Sequence, residues 1–416
     1  MKNKEVKRLM KKLLDLETIY CRSFQFVMKI GMNVLPWSVP KTIKGMGAVK
    51  KLPKAIWRKD FRKPLIVTDK LLMDMHLLDG MLEAMQDIGL DYTIFDGVAP
   101  NPTDINIEEG ALLYKEHQCD CMIAFGGGSP MDCAKGIGAR IARPRKKIKR
   151  MQGLFGVLRP IPVIFAVPTT SGTGSETTIA AVITELSTHH KASMNDLCLM
   201  PKYAVLDPEL TLGLPKQMTA ATGMDALCHA IEAYTNNTYN SKLEKKMCKK
   251  AVKLIYQNLY KIYEDGANIE GRQNMQKAAF YAGRAFTRGC VGYVHAIGHT
   301  LGGLYGTPHG LAMAILLPHV MRAYGSAVHE RLAELCDVCG IKAADDSVQA
   351  KAEAFIGWIE ELKLKMDIPL YPPVLKEDDV DQIVEWAHKE GNPLYPTPVV
   401  WKKEDFKTFI LSMKEF

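Results

Sequence analysis

Long apolar runs are missing from this chain. No stretch of about 18 uninterrupted apolar residues occurs in its 416 residues, so a membrane-spanning helix is not expected. Cys336-x-x-Cys339 has no second CxxC to complete a four-thiolate zinc cage, and the pair is read as two thiols on a core helix. Arg22 and Lys29 interrupt the apolar part of the N-terminal segment, which argues against a signal peptide. The ten cysteines are accordingly expected to be reduced thiols of a cytoplasmic protein. A GxGxxG fingerprint, an internal repeat and a long low-complexity linker are absent too.

What remains is an ordinary globular composition, 47% hydrophobic and 24% charged. A chain of 416 residues is too long for one core, so two or three domains are expected. The net charge of +8 is unevenly spread: residues 1–59 hold fifteen Lys/Arg against Glu5, Asp15 and Glu17. That region alone carries +12, and the rest is net acidic. Residues 2–30 place Val6, Leu9, Met10, Leu13, Leu14 and Leu16 at helical spacing between lysines. Such a basic amphipathic helix either lies on an anionic membrane surface or packs on its own protein or a second subunit. The packing reading is preferred. The run RPRKKIKR (143–150) has six basic side chains in eight and is read as a solvated loop, so no nucleic-acid partner is expected.

From Pro40 the pattern turns to short strands, helices and glycine turns. Lys63–Asp69, Tyr92–Phe95, Cys121–Phe125 and Ile161–Val167 read as buried parallel strands, with a helix over Leu71–Ile88. This alternation predicts a doubly wound, Rossmann-like α/β sheet. Gly126-Gly127-Gly128-Ser129 follows a strand and opens a helix, with Pro130 at an early helical position. Such a turn lets backbone approach a phosphate, to which the helix N-terminus offers free N–H groups. Asp69 ends an earlier strand, where a carboxylate suits ribose hydroxyls and repels a 2′-phosphate, favouring NAD over NADP. Pro168–Glu176 (PTTSGTGSE) packs five hydroxyls and two glycines into nine residues, which suits a cofactor's phosphates and sugars or simply a polar loop. Beyond residue 212 helical periodicity dominates. The expected division is a basic extension (1–39), a dinucleotide-binding α/β domain (40–212) and an all-helical metal-binding domain (213–416), with room for an active site in a cleft between the two domains.

Within the helical part, Asp225 and His229 lie four residues apart, as do His295 and His299, and His309 stands between Pro308 and Gly310. Residues i and i+4 share a helix face. One carboxylate with two or three imidazoles is a ligand set for Fe(II) or Zn(II).

Taken with GGGSPMDCAK (126–135), PTTSGTGSE (168–176), TAATGMDALCHAIEAY (219–234) and VHAIGHTLGGLYGTPHGLAMAILLP (294–318), the chain resembles the iron-dependent (group III) alcohol dehydrogenase family from about Pro40 to near the C-terminus. The resemblance implies metal ligands at Asp225, His229, His295 and His309, and places His299 in the catalytic cleft near the nicotinamide. It implies cofactor contacts from Asp69, Asn101, Gly127, Gly128, Ser129, Asp132, Thr169, Thr170, Thr173, Ser175 and Lys191. His319 acquires no role. The first 35 or so residues are an extension that most members lack, and residues 392–406 match the family's ending only loosely.

The expected activity is an NAD-linked alcohol dehydrogenase or aldehyde reductase. The metal polarises the oxygen of a small primary alcohol, diol or aldehyde while hydride passes to or from nicotinamide C4. A homo-oligomer is expected. Two rivals are a dehydroquinate-synthase-like lyase, distinguished by the absence of net NADH formation, and a non-catalytic scaffold, distinguished by an empty metal site.

Overall fold

The computed structural model describes residues 16–186, 190–236 and 238–413. In chain order it contains α1 (Leu16–Val34), β1 (Lys41–Lys44), α2 (Ala48–Trp57), β2 (Pro64–Val67), α3 (Lys70–Asp74), α4 (Asp79–Gln86), β3 (Thr93–Phe95), α5 (Asp104–Glu116), β4 (Cys121–Gly126), α6 (Gly128–Ala142), β5 (Gly153–Leu154), β6 (Val163–Pro168), β7 (Ala180–Glu185), β8 (His190–Asn195) and β9 (Tyr203–Leu206). Helices follow: α7 (Lys216–Thr235), α8 (Lys242–Glu264), α9 (Ile269–Gly289), α10 (Tyr293–Tyr305), α11 (His309–Tyr324), α12 (Ser326–Cys339), α13 (Val348–Lys365), α14 (Val380–Gly391) and α15 (Lys403–Ser412). The chain forms two compact units, one of residues 36–230 and 246–287, the other of residues 1–35, 231–245 and 288–416.

The first of these is built on a parallel six-stranded sheet in the order β1-β9-β6-β4-β2-β3. Its central strands are apolar on both faces because helices cover both. Ile66, Ile123, Phe125, Phe165 and Val167 face Leu52 and Ile56 of α2 and Met81 and Met85 of α4. The alternate residues Leu65, Val67, Met122, Ala124, Ile164 and Ala166 face Ala111 of α5 and Ala134 and Ile137 of α6. Each fully buried aliphatic side chain of this kind contributes about 1.5–3 kcal/mol. Neighbouring β4 and β6 run in register from Cys121↔Val163 to Gly126↔Pro168, so the glycine turn and the PTTSGTGSE loop leave the sheet side by side.

Sequence periodicity misses β1, β9 and the antiparallel pair β7–β8. The helix expected over Leu71–Ile88 is two, α3 and α4, broken where His76 takes a positive φ of 57°. The basic run is a loop up to Lys147 and then a 3-10 turn, Ile148–Arg150, with Ile148 buried, and it is tied down: Arg143 Nε donates to the Val157 carbonyl at 2.5 Å and Lys146 Nζ to that of Gly156 at 2.6 Å. None of the ten cysteines is in a disulfide.

In the other unit, α10 and α11 form a hairpin closed by a left-handed Gly306 and by Pro308, which caps α11 so that His309 is its first residue. An aromatic cluster of Tyr293, Tyr324, Trp401 and Phe406 fixes α10 against the C-terminal segment. Helix α1 belongs to this unit. It docks by a polar face, Arg22 donating to the carbonyls of Thr397 and Pro398 at 2.9 and 3.0 Å and Gln25 to those of Pro393 and Tyr395 at 3.0 and 2.9 Å. No helix among the described residues is long and apolar enough to cross a membrane.

Candidate cofactor cradle and metal-ligand cluster

The cradle begins where β4 ends. Gly126 has φ 147°, and a Cβ there would meet Pro130 Cγ at 2.5 Å, so the turn into α6 requires glycine. Gly127 caps α6. Thr170 lies against Gly127, its Cγ2 3.5 Å from an ideal Cβ position, and Thr173 against Gly128 at 3.1 Å. Ser129 Oγ donates to the Pro100 carbonyl, tying in the loop of Asn101, which is exposed. Thr169 N donates to Gly126 O at 3.0 Å. Gly127, Gly128, Ser129, Thr169, Thr170 and Thr173 are therefore assembled around one helix N-terminus, where backbone N–H groups suit an anion.

Other predicted cofactor residues have structural duties. Asp69 caps α3, its Oδ1 accepting from Leu72 N at 3.0 Å. Asp132 accepts from Ser175 Oγ at 2.8 Å and from Val182 N at 3.0 Å. The side chain of Lys191 lies outside the described residues.

Sequence reasoning missed Lys135, which organises this region. Fully buried on α6, its Nζ reaches Ser175 O, Ser175 Oγ, Thr178 Oγ1 and Ala180 O at 2.8, 2.7, 2.9 and 2.8 Å. Burial lowers its pKa to about 8 against the pull of Asp132 and Glu176. Burial also pushes Glu176 up to about 7. On the far side of the loop Gly174 (φ 60°) meets α9 so closely that a Cβ would lie 2.7 Å from Gly283 Cα. The PTTSGTGSE loop is thus clamped between a buried ammonium and a glycine-to-glycine contact.

The second cluster is made of side chains. On α7, Asp225 Oδ1 and His229 Nδ1 are 3.7 Å apart and both residues are buried; the His229 ring stacks on Phe286 at 4.1 Å. On α10 and α11 the ring centroids of His295, His299 and His309 are 5.2–5.8 Å apart. Asp225 and His229 are thus a buried carboxylate–imidazole pair in one unit, and His295, His299 and His309 are a group of imidazoles in the other. His229 stands one turn beyond Asp225 on α7.

Two carboxylates orient the imidazoles, and neither was singled out in the sequence. Glu232 Oε2 contacts His295 Nδ1 at 2.5 Å while its Oε1 accepts from Val294 N at 2.8 Å. Nδ1 of His295 is occupied in this way, which turns Nε2 outward as the ligand atom. Gly292 makes room, since a Cβ there would stand 2.8 Å from Glu232 Oε1. Glu390 Oε1 pairs with His299 Nδ1 at 2.7 Å and accepts from Tyr395 OH at 2.9 Å; burial and Glu390 together hold the Tyr395 phenol well above its ordinary pKa. Cys228 lies one turn before Glu232 on α7, and both Glu232 oxygens are already engaged, by His295 and by Val294 N. His319 takes no part and faces the Leu370 carbonyl at 3.0 Å.

The donor chemistry fits a divalent first-row metal: a carboxylate, imidazoles and an orienting carboxylate behind one of them. Comparison with known proteins shows the family. The model for iron-containing alcohol dehydrogenase matches residues 40–208, and that for the C-terminal domain of the Fe-containing alcohol dehydrogenase family matches 219–413. The chain is 39% identical over 335 residues to 1,3-propanediol dehydrogenase of Klebsiella pneumoniae, covering 80% of this chain and 86% of that one. It is 36% identical over 353 residues to the NAD-dependent methanol dehydrogenase of Bacillus methanolicus, covering 84% and 92%. The crystal structure of a 1,3-propanediol oxidoreductase superposes with a TM-score of 0.87 at 34% identity, covering 92% of this chain and 100% of that one. With the strand order, the glycine cradle and the histidine cluster all in place, the chain belongs to the iron-containing alcohol dehydrogenase family and is an alcohol/aldehyde oxidoreductase.

Proposed function

We propose that this oxidoreductase uses Fe(II) and NAD to interconvert a short primary alcohol or diol and its aldehyde. We assign the metal to Asp225, His229, His295 and His309. The observations that carry the assignment are the buried Asp225–His229 pair on α7 and the His295–His309 pair of α10 and α11, with Glu232 behind His295. When bound, the divalent metal supplies Lewis acidity to the substrate oxygen, and NAD supplies the hydride-accepting carbon. The chain's residues supply placement. Gly127, Gly128, Thr170 and Thr173 hold the dinucleotide's phosphates at the start of α6. Lys135 and Asp132 fix the loop that bears the threonines. His299, held by Glu390, carries a proton between the substrate hydroxyl and solvent.

Asp69 supports NAD over NADP because its carboxylate, already capping α3, would oppose a 2′-phosphate. The names of the relatives, 1,3-propanediol dehydrogenase and NAD-dependent methanol dehydrogenase, support the same cofactor and small primary alcohols. We place the functional division at residue 213, and ten cysteines without a disulfide among them support a reducing, cytoplasmic setting. The test is an anaerobic panel of methanol, ethanol, 1,2-propanediol and 1,3-propanediol with added Fe(II), NAD+ and NADP+ being compared. Net NADH formation with at least one alcohol, removed by a chelator and restored by Fe(II), is expected. Absence of NADH with every alcohol and every aldehyde in reverse would overturn the reading.

A further inference from the structure

Helix α1 is packed inside out. Its buried residues are Cys21, Gln25 and Met32, and its clamps are polar: Arg22 and Gln25 on backbone carbonyls, Glu17 on His388 and Asn33 on Arg288. Seven large apolar side chains, Leu16, Ile19, Tyr20, Phe26, Val27, Ile30 and Val34, are 53–79% exposed. At 100° per residue they fall within an arc of about 120°, opposite the buried residues. A contiguous stripe of this kind on one helix marks a contact surface and not scattered exposure.

Charge decides what covers it. Residues 1–15, which lead into the helix, carry Lys2, Lys4, Lys7, Arg8, Lys11 and Lys12 against Glu5 and Asp15. A second copy brings the same basic run to the contact, whereas anionic lipid headgroups are complementary to it and accept the apolar stripe beneath them. Among the described residues no helix can span a bilayer, so the geometry is that of a helix lying in the interface. We infer that α1 with its basic leader is a peripheral anchor that seats this enzyme on an anionic membrane surface. The inference is independent of the metal and cofactor assignments.

The test is co-sedimentation of the full-length, metal-loaded protein with phosphatidylcholine vesicles with and without 30% phosphatidylserine. The anionic vesicles should bind at least tenfold more strongly, and 0.5 M NaCl should abolish most of the difference. Phe26→Glu/Ile30→Glu should lower the partition coefficient at least tenfold with turnover unchanged. Replacing Lys7, Arg8, Lys11 and Lys12 by Gln should remove the salt dependence while leaving the stripe intact. Equal partitioning to both vesicle types, or none, would overturn the anchor. So would a glutamate variant that binds vesicles like the parent but sediments as a smaller species, which would make the stripe a contact between copies.

Discussion

The cradle at the start of α6 and the histidine cluster of α7, α10 and α11 are made of different materials. The cradle is backbone: Gly126 at a position no side chain tolerates, two more glycines at the helix N-terminus, and one buried ammonium holding the adjoining loop. The cluster is side chain: imidazoles on helices, two of them, His295 and His299, with a carboxylate behind. Backbone sites follow from sheet register and lose function when a loop moves. Side-chain sites depend on rotamer and tautomer and lose function one donor at a time. The substitutions below test that contrast.

The largest effect is expected from the donors themselves. Asp225→Asn or His309→Ala should lower kcat by about a thousandfold or more, on the scale of losing a Lewis acid. Circular dichroism should stay that of the parent. Full turnover in either variant, measured after anaerobic Fe(II) loading, would remove that residue from the metal site.

Next comes the clamp of the cradle. Lys135→Met strands several buried oxygens, at about 2–4 kcal/mol. A drop of roughly 5–10 °C in Tm should follow, with a weaker NADH Kd by fluorescence titration and an unchanged metal content. If Lys135→Met bound less metal but bound NADH normally, the division between the two clusters would be wrong.

One layer behind the donors the effect shrinks. Glu232→Gln should cost about 10–100-fold in metal affinity by competitive chelation, with little change in NADH binding. Parental affinity would make Glu232 a packing residue only.

The smallest effect is a pH slope. Glu176 is raised to about 7 from an ordinary value of 4.5, so between those values the folded chain holds a proton that the unfolded chain lacks. Its contribution to stability therefore grows as pH falls from 7 to 4.5 and is lost as pH rises through 7. Glu176→Gln should flatten that part of the Tm-versus-pH curve, and an unaltered curve would place the proton elsewhere.

How much of this was legible in the sequence follows the same contrast. The glycine turn could be placed from its position between an apolar strand and Pro130, although such turns are often no more than tight turns. The i, i+4 spacing of Asp225/His229 and His295/His299 was legible too. What could not be read was the layer behind them. Lys135 looks like any lysine on a helix until its four oxygens are seen, and Glu390 lies 91 residues beyond the histidine it holds. Glu232 sits seven residues after Asp225 on the same helix, a spacing that could have suggested it. The helical spacing read over Val6–Leu16 lies, but for Leu16, outside the described residues, and α1 packs on its own unit by a polar face. In the β7–β8 pair, β7 continues the apolar run Ile179–Ile183 but β8 (HKASMN) is mostly polar and offers no strand signal of its own.

The most direct measurement is X-ray absorption on the protein loaded with one equivalent of Zn(II). A first shell of nitrogen and oxygen at about 2.0–2.1 Å is expected, with the multiple-scattering signature of several imidazoles and its loss in His309→Ala. A sulfur ligand at about 2.3 Å, as Cys228 would give, or a shell with fewer than two imidazoles, would contradict the assignment.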